Sequence, residues 1–254
     1  MYKNIKIRSK KVKLNKKSFD EYNKNGYFII KNILSKKTCQ KIKKYAEKNL
    51  SEKPKYPISL NVHRNDRIFF NVISDKNIVK AVKFFQKSKV DALNDQMIYK
   101  KKNSFYSAQS WTFHQDNAYP KARHGKYVIA HLFLDDSTPT NGGLIFFEGS
   151  HVEPVLEYEI RTSHKEKKNK KGVTRPGATI NQKDLSRVKN IYKRVDIDVK
   201  SGSLCIMHGN LVHGSYPNNS KTKDRSTYSM AYINKGARVT DKGNKSKKKR
   251  VKLN

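Results

Sequence analysis

Helices first, then an all-β body closed as a sandwich or barrel, is the fold class this sequence predicts. Two observations lead there. Apolar residues recur at helical spacing only before about Asn94, and from there on they come in short apolar or alternating runs. Those runs are separated by turn-forming text such as Asn141-Gly142-Gly143, Glu148-Gly149-Ser150 and Ser201-Gly202-Ser203.

The elements follow in order. Residues 1–17 are basic, with Ile5, Ile7, Val12 and Leu14 suited to a short strand or to no regular structure. A helical turn is predicted at 18–23. A strand follows at 27–31, opened by Gly26. Ser35 is placed to cap a helix that sets Cys39, Ile42, Tyr45, Ala46 and Leu50 on one face, and Pro54 and Pro57 end it. A second helix at about 75–87 carries Ile78, Val79, Val82, Phe84 and Phe85. Strands are predicted at 96–100, 108–113, 127–134, 144–147, 194–199, 204–207 and 227–233. The stretch 157–193 is long, polar and basic, as in a lid or a disordered insertion. Residues 237–254 read as a basic disordered tail.

The 254 residues suit one large domain with arms. Hydrophobic residues at 35% are enough for a core, and no run is long enough to cross a bilayer. The N-terminus lacks the apolar stretch of a secretory signal. Cys39 and Cys205 are far apart, which argues against a disulfide scaffold or a zinc finger and favours a reducing, cytoplasmic setting. Lys plus Arg number 56 against 21 Asp plus Glu, a net charge of +35. Such an excess suits nucleic acid or an anionic membrane. The lysines are spread along the whole chain, however, as the composition of an AT-rich genome would also give, and nucleic-acid binding beyond non-specific charge is not expected.

The chemistry starts at His114-Gln115-Asp116. On an extended chain residues i and i+2 point the same way, so this histidine and carboxylate suit two adjacent vertices of one metal. A triplet of that type arises by chance about once in two chains of this composition, and His151-Val152-Glu153 is a second. Support lies downstream, where a turn and an apolar run lead to His208 and then His213, a third ligand. Twelve residues on, Arg225 opens a strand and suits a carboxylate as a bidentate partner. Paired histidines four apart on a helix, as in zinc proteases, are missing, and so is the Gly-x-Ser-x-Gly frame of serine hydrolases.

Together these residues resemble the phytanoyl-CoA dioxygenase-like branch of the Fe(II)/2-oxoglutarate oxygenases. The matching text is His114-Gln115-Asp116-Asn117-Ala118-Tyr119, Leu134-Asp135-Asp136, Asn141-Gly142-Gly143-Leu144, and Glu148-Gly149-Ser150-His151, where the family usually has proline at 148. His208-Gly209-Asn210-Leu211-Val212-His213-Gly214-Ser215 with Arg225 and Tyr232 completes it, and the opening Gly26-Tyr27-Phe28-Ile29 is also similar. The resemblance covers about 18–236 and implies a double-stranded β-helix (a jelly-roll, cupin-like core) with helices on its major sheet. It implies that His114, Asp116 and His213 hold Fe(II), and that Arg225 binds the distal carboxylate of the co-substrate 2-oxoglutarate beside Ser215. Gln96 and His131 stand at two further co-substrate positions; at the second the family often has tryptophan. Tyr119 and His124 are candidate substrate contacts. His151 and Glu153 fall in a turn, and His208 is structural rather than a ligand. Lys100, Lys101 and Lys102 read as surface, with one of them a candidate to face an anionic ligand.

The implied reaction uses O2, converts 2-oxoglutarate to succinate and CO2, and hydroxylates a small organic substrate. Related halogenases have a small residue where Asp116 stands, so Asp116 favours hydroxylation. The lysines of 157–193, with Arg161 and Arg175, suit an anionic substrate such as a carboxylate, phosphonate or acyl thioester. Three rival readings remain: a nucleic-acid demethylase of the same superfamily, a basic nucleic-acid-binding β-domain, and a cupin-like protein with another metal. The first would resemble the alkylation-repair type, which carries a second arginine six residues after the clamp; here that position is Ala231.

Overall fold

Asn15 opens the first helix. Its side chain accepts the Ser18 N–H, and α1 (Lys16–Asn25) runs until Gly26 turns left-handed at φ 82°. This cap makes a full helix where a single turn was predicted. The chain is described here by a computed structural model over residues 5–50, 58–104, 110–161, 177–239 and 250–253.

After β1 (Tyr27–Ile30) comes α2 (Lys36–Asn49), capped by Ser35 as predicted. Then follow β2 (Ile58–Leu60), α3 (Arg67–Ile73) and α4 (Lys76–Gln86). Asp66 and Asp75 each accept two backbone N–H groups at the start of α3 and α4. α3 goes unpredicted because seven residues are too few for a helical period to stand out.

The β body has two sheets. The larger is seven-stranded. It contains β3 (Val90–Lys100), β5 (Tyr127–Phe133), β10 (Leu204–His208), β12 (Arg225–Asn234) and β13 (Val251–Lys252), in the order β1-β10-β5-β12-β3-β13, with β2 also on β3. The smaller sheet, of β4 (Trp111–His114), β6 (Leu144–Phe147), β9 (Arg194–Asp196) and β11 (His213–Ser215), has the order β4-β11-β6-β9. All these pairings are antiparallel.

Alternation sorts the residues of each strand. Val128, Ala130 and Leu132 of β5 and Tyr228, Met230 and Tyr232 of β12 pack with Ile42, Phe69, Val82 and Phe85 from the helices. Tyr127, Ile129 and Phe133 of β5 and Ala231 of β12 pack inward with Leu144 and Phe146 of the smaller sheet. The interior between the sheets therefore receives His131 from β5 and Arg225, Thr227 and Ser229 from β12.

Two expectations need correction. The stretch 157–193 is not one irregular lid: β7 (Tyr158–Arg161) and β8 (Gly177–Ile180) form a hairpin, and α5 (Gln182–Ile191) follows. Leu185 and Val188 of α5 are buried against Val212 and Phe147, enough apolar contact to hold a helix in an otherwise polar segment. Residues 162–176, with most of the lysines taken to favour an anionic substrate, lie outside the described residues. Nor is the whole tail disordered. Val251 and Lys252 pair with Ala92 and Asp91 at the edge of β3, and Val251 and Leu253 pack on the helix-side core. In the N-terminal arm, Ile5, Ile7, Val12 and Leu14 pack there too, and Lys10 donates its backbone N–H to the Ile33 carbonyl.

Candidate active site

Antiparallel pairing of β4 with β11 sets His114 directly opposite His213, with ring centroids 4.2 Å apart. Asp116 lies just beyond β4, at the start of a short 3-10 turn. There Asn117 donates its N–H to the Gly209 carbonyl, which ties the turn to the loop before β11. Asp116 Oδ1 is 3.4 Å from His114 Nε2, and Oδ2 is 3.7 Å from His213 Nε2. The three potential ligand atoms lie within 4.8 Å of one another, and this is the one such group among the described residues.

The tautomers suit a metal. His114 Nδ1 lies 2.7 Å from the Thr112 carbonyl and His213 Nδ1 lies 2.9 Å from the Leu211 carbonyl, so each Nδ1 carries the proton. In the neutral rings both Nε2 lone pairs then lie on the side of Asp116. His208 is the opposite case: its Nδ1 accepts the Asn210 N–H, which leaves the proton on Nε2 and no lone pair to offer there. Two residues of the motif to which the sequence assigns no role hold this loop. Gln115 donates to the carbonyls of Pro154 and Asn210 and accepts the Leu156 N–H. Asn117 donates to the Ala122 carbonyl and to Asn210 Oδ1.

Burial acts to raise the pKa of the Asp116 carboxyl, but His213 and His114 outweigh it and hold the group well below the usual carboxylate range. Burial likewise pushes His213 down to about 4, helped by His114. Burial also works against a charged His114, yet the hydrogen bond and charge of Asp116 prevail and raise its pKa. The site thus presents one carboxylate and two imidazoles on one side of a point, the donor set of a facial two-histidine, one-carboxylate metal site.

A cationic cluster adjoins it. Arg225 and Lys100 are paired residues of β12 and β3, and both are buried. Arg225 donates through Nε to the Gly142 carbonyl at 2.8 Å. Lys100 donates to Ser215 Oγ at 2.7 Å and to the Tyr216 carbonyl. Ser215 is two residues after His213 on β11, so one strand touches both clusters. Lys100 therefore corrects the surface expectation, while Lys101 and Lys102 are exposed. Gly142 explains the close approach: it has φ 95°, and a Cβ there would sit 2.6 Å from Lys100 Cδ.

His131 lies within electrostatic reach of Asp116, His213 and Arg225; burial pushes it down to about 3, against the opposing pull of the Asp116 carboxylate and with His213 and Arg225 adding to the drop. It is 6% exposed, and neither ring nitrogen has a hydrogen-bond partner among the described residues. Gln96 and Ser229 align with it in one row across β3, β12 and β5. The Tyr119 hydroxyl accepts the Ala178 N–H at 2.8 Å and so joins the turn after Asp116 to β8; the residue stays 40% exposed. His124 packs against the short turn Ser150–Val152. It bonds through Nε2 to the His151 carbonyl and its ring lies against His208, so its partners are these residues and not the triad.

A sequence profile described as phytanoyl-CoA dioxygenase (PhyH) matches residues 22–227, most of the chain. The chain belongs to the phytanoyl-CoA dioxygenase family. Among curated relatives it is 33% identical over 126 residues to a phytanoyl-CoA dioxygenase of Arabidopsis thaliana. That match covers 47% of this chain and 37% of the relative, so it spans little more than a third of the relative's length. Solved structures share the fold of this family member. The non-heme alpha ketoglutarate dependent carbocyclase SnoK from nogalamycin biosynthesis superposes with a TM-score of 0.72 at 15% identity, over 90% of this chain and 87% of SnoK. EctD from S. alaskensis, solved with 2-oxoglutarate and 5-hydroxyectoine, gives 0.70 at 16% identity, over 89% and 78%. The epimerase SnoN in complex with Fe3+, alpha ketoglutarate and nogalamycin RO gives 0.71 at 16%, over 90% and 86%. The fold of this family member is accordingly a jelly-roll, as the sequence predicts. Among the described residues no helix is long and apolar enough to cross a membrane.

Proposed function

We propose that this phytanoyl-CoA dioxygenase family member is an iron(II)- and 2-oxoglutarate-dependent oxygenase that hydroxylates a small organic substrate. The observation that carries the reading is the pair of histidine tautomers, which leaves both Nε2 lone pairs beside Asp116 with a buried Arg–Lys pair next to them. His114, Asp116 and His213 would hold the iron, whose bound form supplies the redox chemistry that couples 2-oxoglutarate conversion to succinate and CO2 with oxidation of a second substrate by O2.

The chain's own residues bind and orient. Arg225 and Lys100 concentrate two positive charges where a distal carboxylate would lie, and Ser215 adds a hydroxyl. His131, within electrostatic reach of both Arg225 and the triad, would offer a ring N–H to the co-substrate. Gln96 is four residues from Lys100 along β3, roughly 13 Å, and shares a row with Ser229 and His131, so it would border the keto-acid end of the co-substrate rather than the distal carboxylate. Tyr119, partly exposed beside β8, is a substrate contact at the entrance.

The test is succinate formation by purified protein with Fe(II), ascorbate and 2-oxoglutarate, without substrate and across a panel of small anionic and neutral compounds. Succinate that disappears in His114→Ala and requires far more 2-oxoglutarate in Arg225→Ala supports the class, and compounds that stimulate it identify the substrate chemistry. A protein that binds neither metal nor 2-oxoglutarate refutes it.

A further inference from the structure

Lys43 sits on α2, on the helix side of the larger sheet, whereas Arg225 and Lys100 point to the opposite, interior side. Lys43 is only 8% exposed, and its Nζ lies 2.9 Å from Asp135 Oδ2 and 2.9 Å from Asp224 Oδ2. Burial alone would lower its pKa, but the two carboxylates overcome this and raise it, so the amine stays charged.

Both carboxylates hold backbone next to the cationic cluster. Asp135 Oδ2 also accepts the N–H of Ser226, and the Ser226 carbonyl accepts the N–H of Leu134. Asp224 Oδ1 accepts the N–H of Lys102, two residues beyond Lys100. Asn141 donates its side-chain N–H to the Asp224 carbonyl, one residue before Gly142, whose carbonyl receives the Arg225 guanidinium. Arg225 is thus suspended between residues 224 and 226, each tied to the same ammonium through one carboxylate. Gln40, three residues before Lys43 on α2, adds hydrogen bonds to Asp135 Oδ1 and the Leu134 carbonyl.

We infer that Lys43 is a positioning residue for co-substrate binding: from the outer face of the sheet it fixes the strand ends that carry Arg225 and Lys100, and so sets the affinity for 2-oxoglutarate. The inference rests on the proposed co-substrate. It assigns Lys43 no contact with 2-oxoglutarate and no part in holding the metal, since none of its bonds reaches the turn of Asp116 or the strand of His213.

The experiment is calorimetric titration of 2-oxoglutarate into the Mn(II)-loaded full chain, where no turnover occurs, with Mn(II) affinity measured separately. Lys43→Met is expected to weaken 2-oxoglutarate binding by about tenfold or more, the scale of one lost charge-assisted hydrogen bond. Its Mn(II) affinity is expected to stay within about twofold of wild type, whereas a generally loosened fold would lose both. Lys43→Arg, which can also bridge two carboxylates, is expected to recover most of the loss. A Lys43→Met protein that binds 2-oxoglutarate as wild type does, or that loses Mn(II) equally, overturns the inference. Should Lys43→Met not fold, Asp224→Asn removes one arm of the bridge and is read by the same criteria. Wild-type protein that binds Mn(II) but not 2-oxoglutarate refutes the proposed function itself, a result separable from an unaffected variant.

Discussion

Lys100 Nζ lies 2.7 Å from Ser215 Oγ, although the residues are 115 positions apart in sequence and belong to different sheets. The contact spans the jelly-roll interior and places a second buried cation beside Arg225. Replacing Lys100 by Met keeps the length of the side chain and removes its charge. The expected outcome is a KM for 2-oxoglutarate raised about 10- to 100-fold, from a loss of roughly 1.5–3 kcal/mol for a hydrogen bond to a charged group. Metal affinity should not change. Steady-state succinate assays and a metal titration check both halves.

His131 presents two buried ring nitrogens without partners among the described residues. Each such group costs about 1–3 kcal/mol. His131→Phe should therefore raise the thermal stability of the ligand-free protein while weakening 2-oxoglutarate binding. Denaturation with and without 2-oxoglutarate tests the opposite signs, and a destabilised variant with unchanged binding would assign His131 to packing.

Metal affinity should depend on pH through the histidines. A metal ion competes with a proton for each Nε2. The pKa of His114 is raised, so its proton must be displaced at and somewhat above the ordinary imidazole range. His213 is pushed down to about 4 and requires no displacement until far lower pH. Apparent affinity is expected to fall as pH falls through the His114 pKa, by up to about tenfold per unit for one proton, and to steepen only near pH 4. Mn(II) titrations at several pH values give the slope; two protons per metal near neutrality would contradict it.

Gln115 stands between two ligands and touches neither the metal position nor the cationic cluster. Its amide closes three hydrogen bonds that hold the Asp116 turn against residues 154, 156 and 210. Gln115→Ala should reduce metal affinity by about 10- to 100-fold, the usual range for groups that orient ligands. Calorimetry with Mn(II) measures it, and an unchanged affinity would show that the turn holds without the amide.

The triad was legible in the sequence because its chemistry is carried by residue type and spacing: His114 and Asp116 are two apart and His213 follows an apolar run. Lys100 was not. Three lysines in a row look like solvated surface, and which one turns inward depends on the pairing of Lys100 with Arg225, fixed by strands far apart in sequence. Lys43 was hidden for the same reason, as one lysine of many on a helix whose partners, Asp135 and Asp224, lie distant in the chain. The strand predicted at 96–100 begins at Val90 in the structure, since Asp91 and Asn94 break the apolar pattern while the ladder with β12 continues past them. His124 is a further case of partners hidden in the sequence: its bond to the His151 carbonyl joins residues 27 apart.

The pairing of Val251 and Lys252 with β3 has a consequence for the outer margin of the large sheet. β3 is bordered on its outer side by β2 at residues 96–98 and by β13 at residues 91–92. An open strand edge offers unsatisfied N–H and C=O groups to any passing chain. Val251 and Lys252 therefore act as a sheath over one margin of the large sheet and leave a shorter edge there than β3 alone would present.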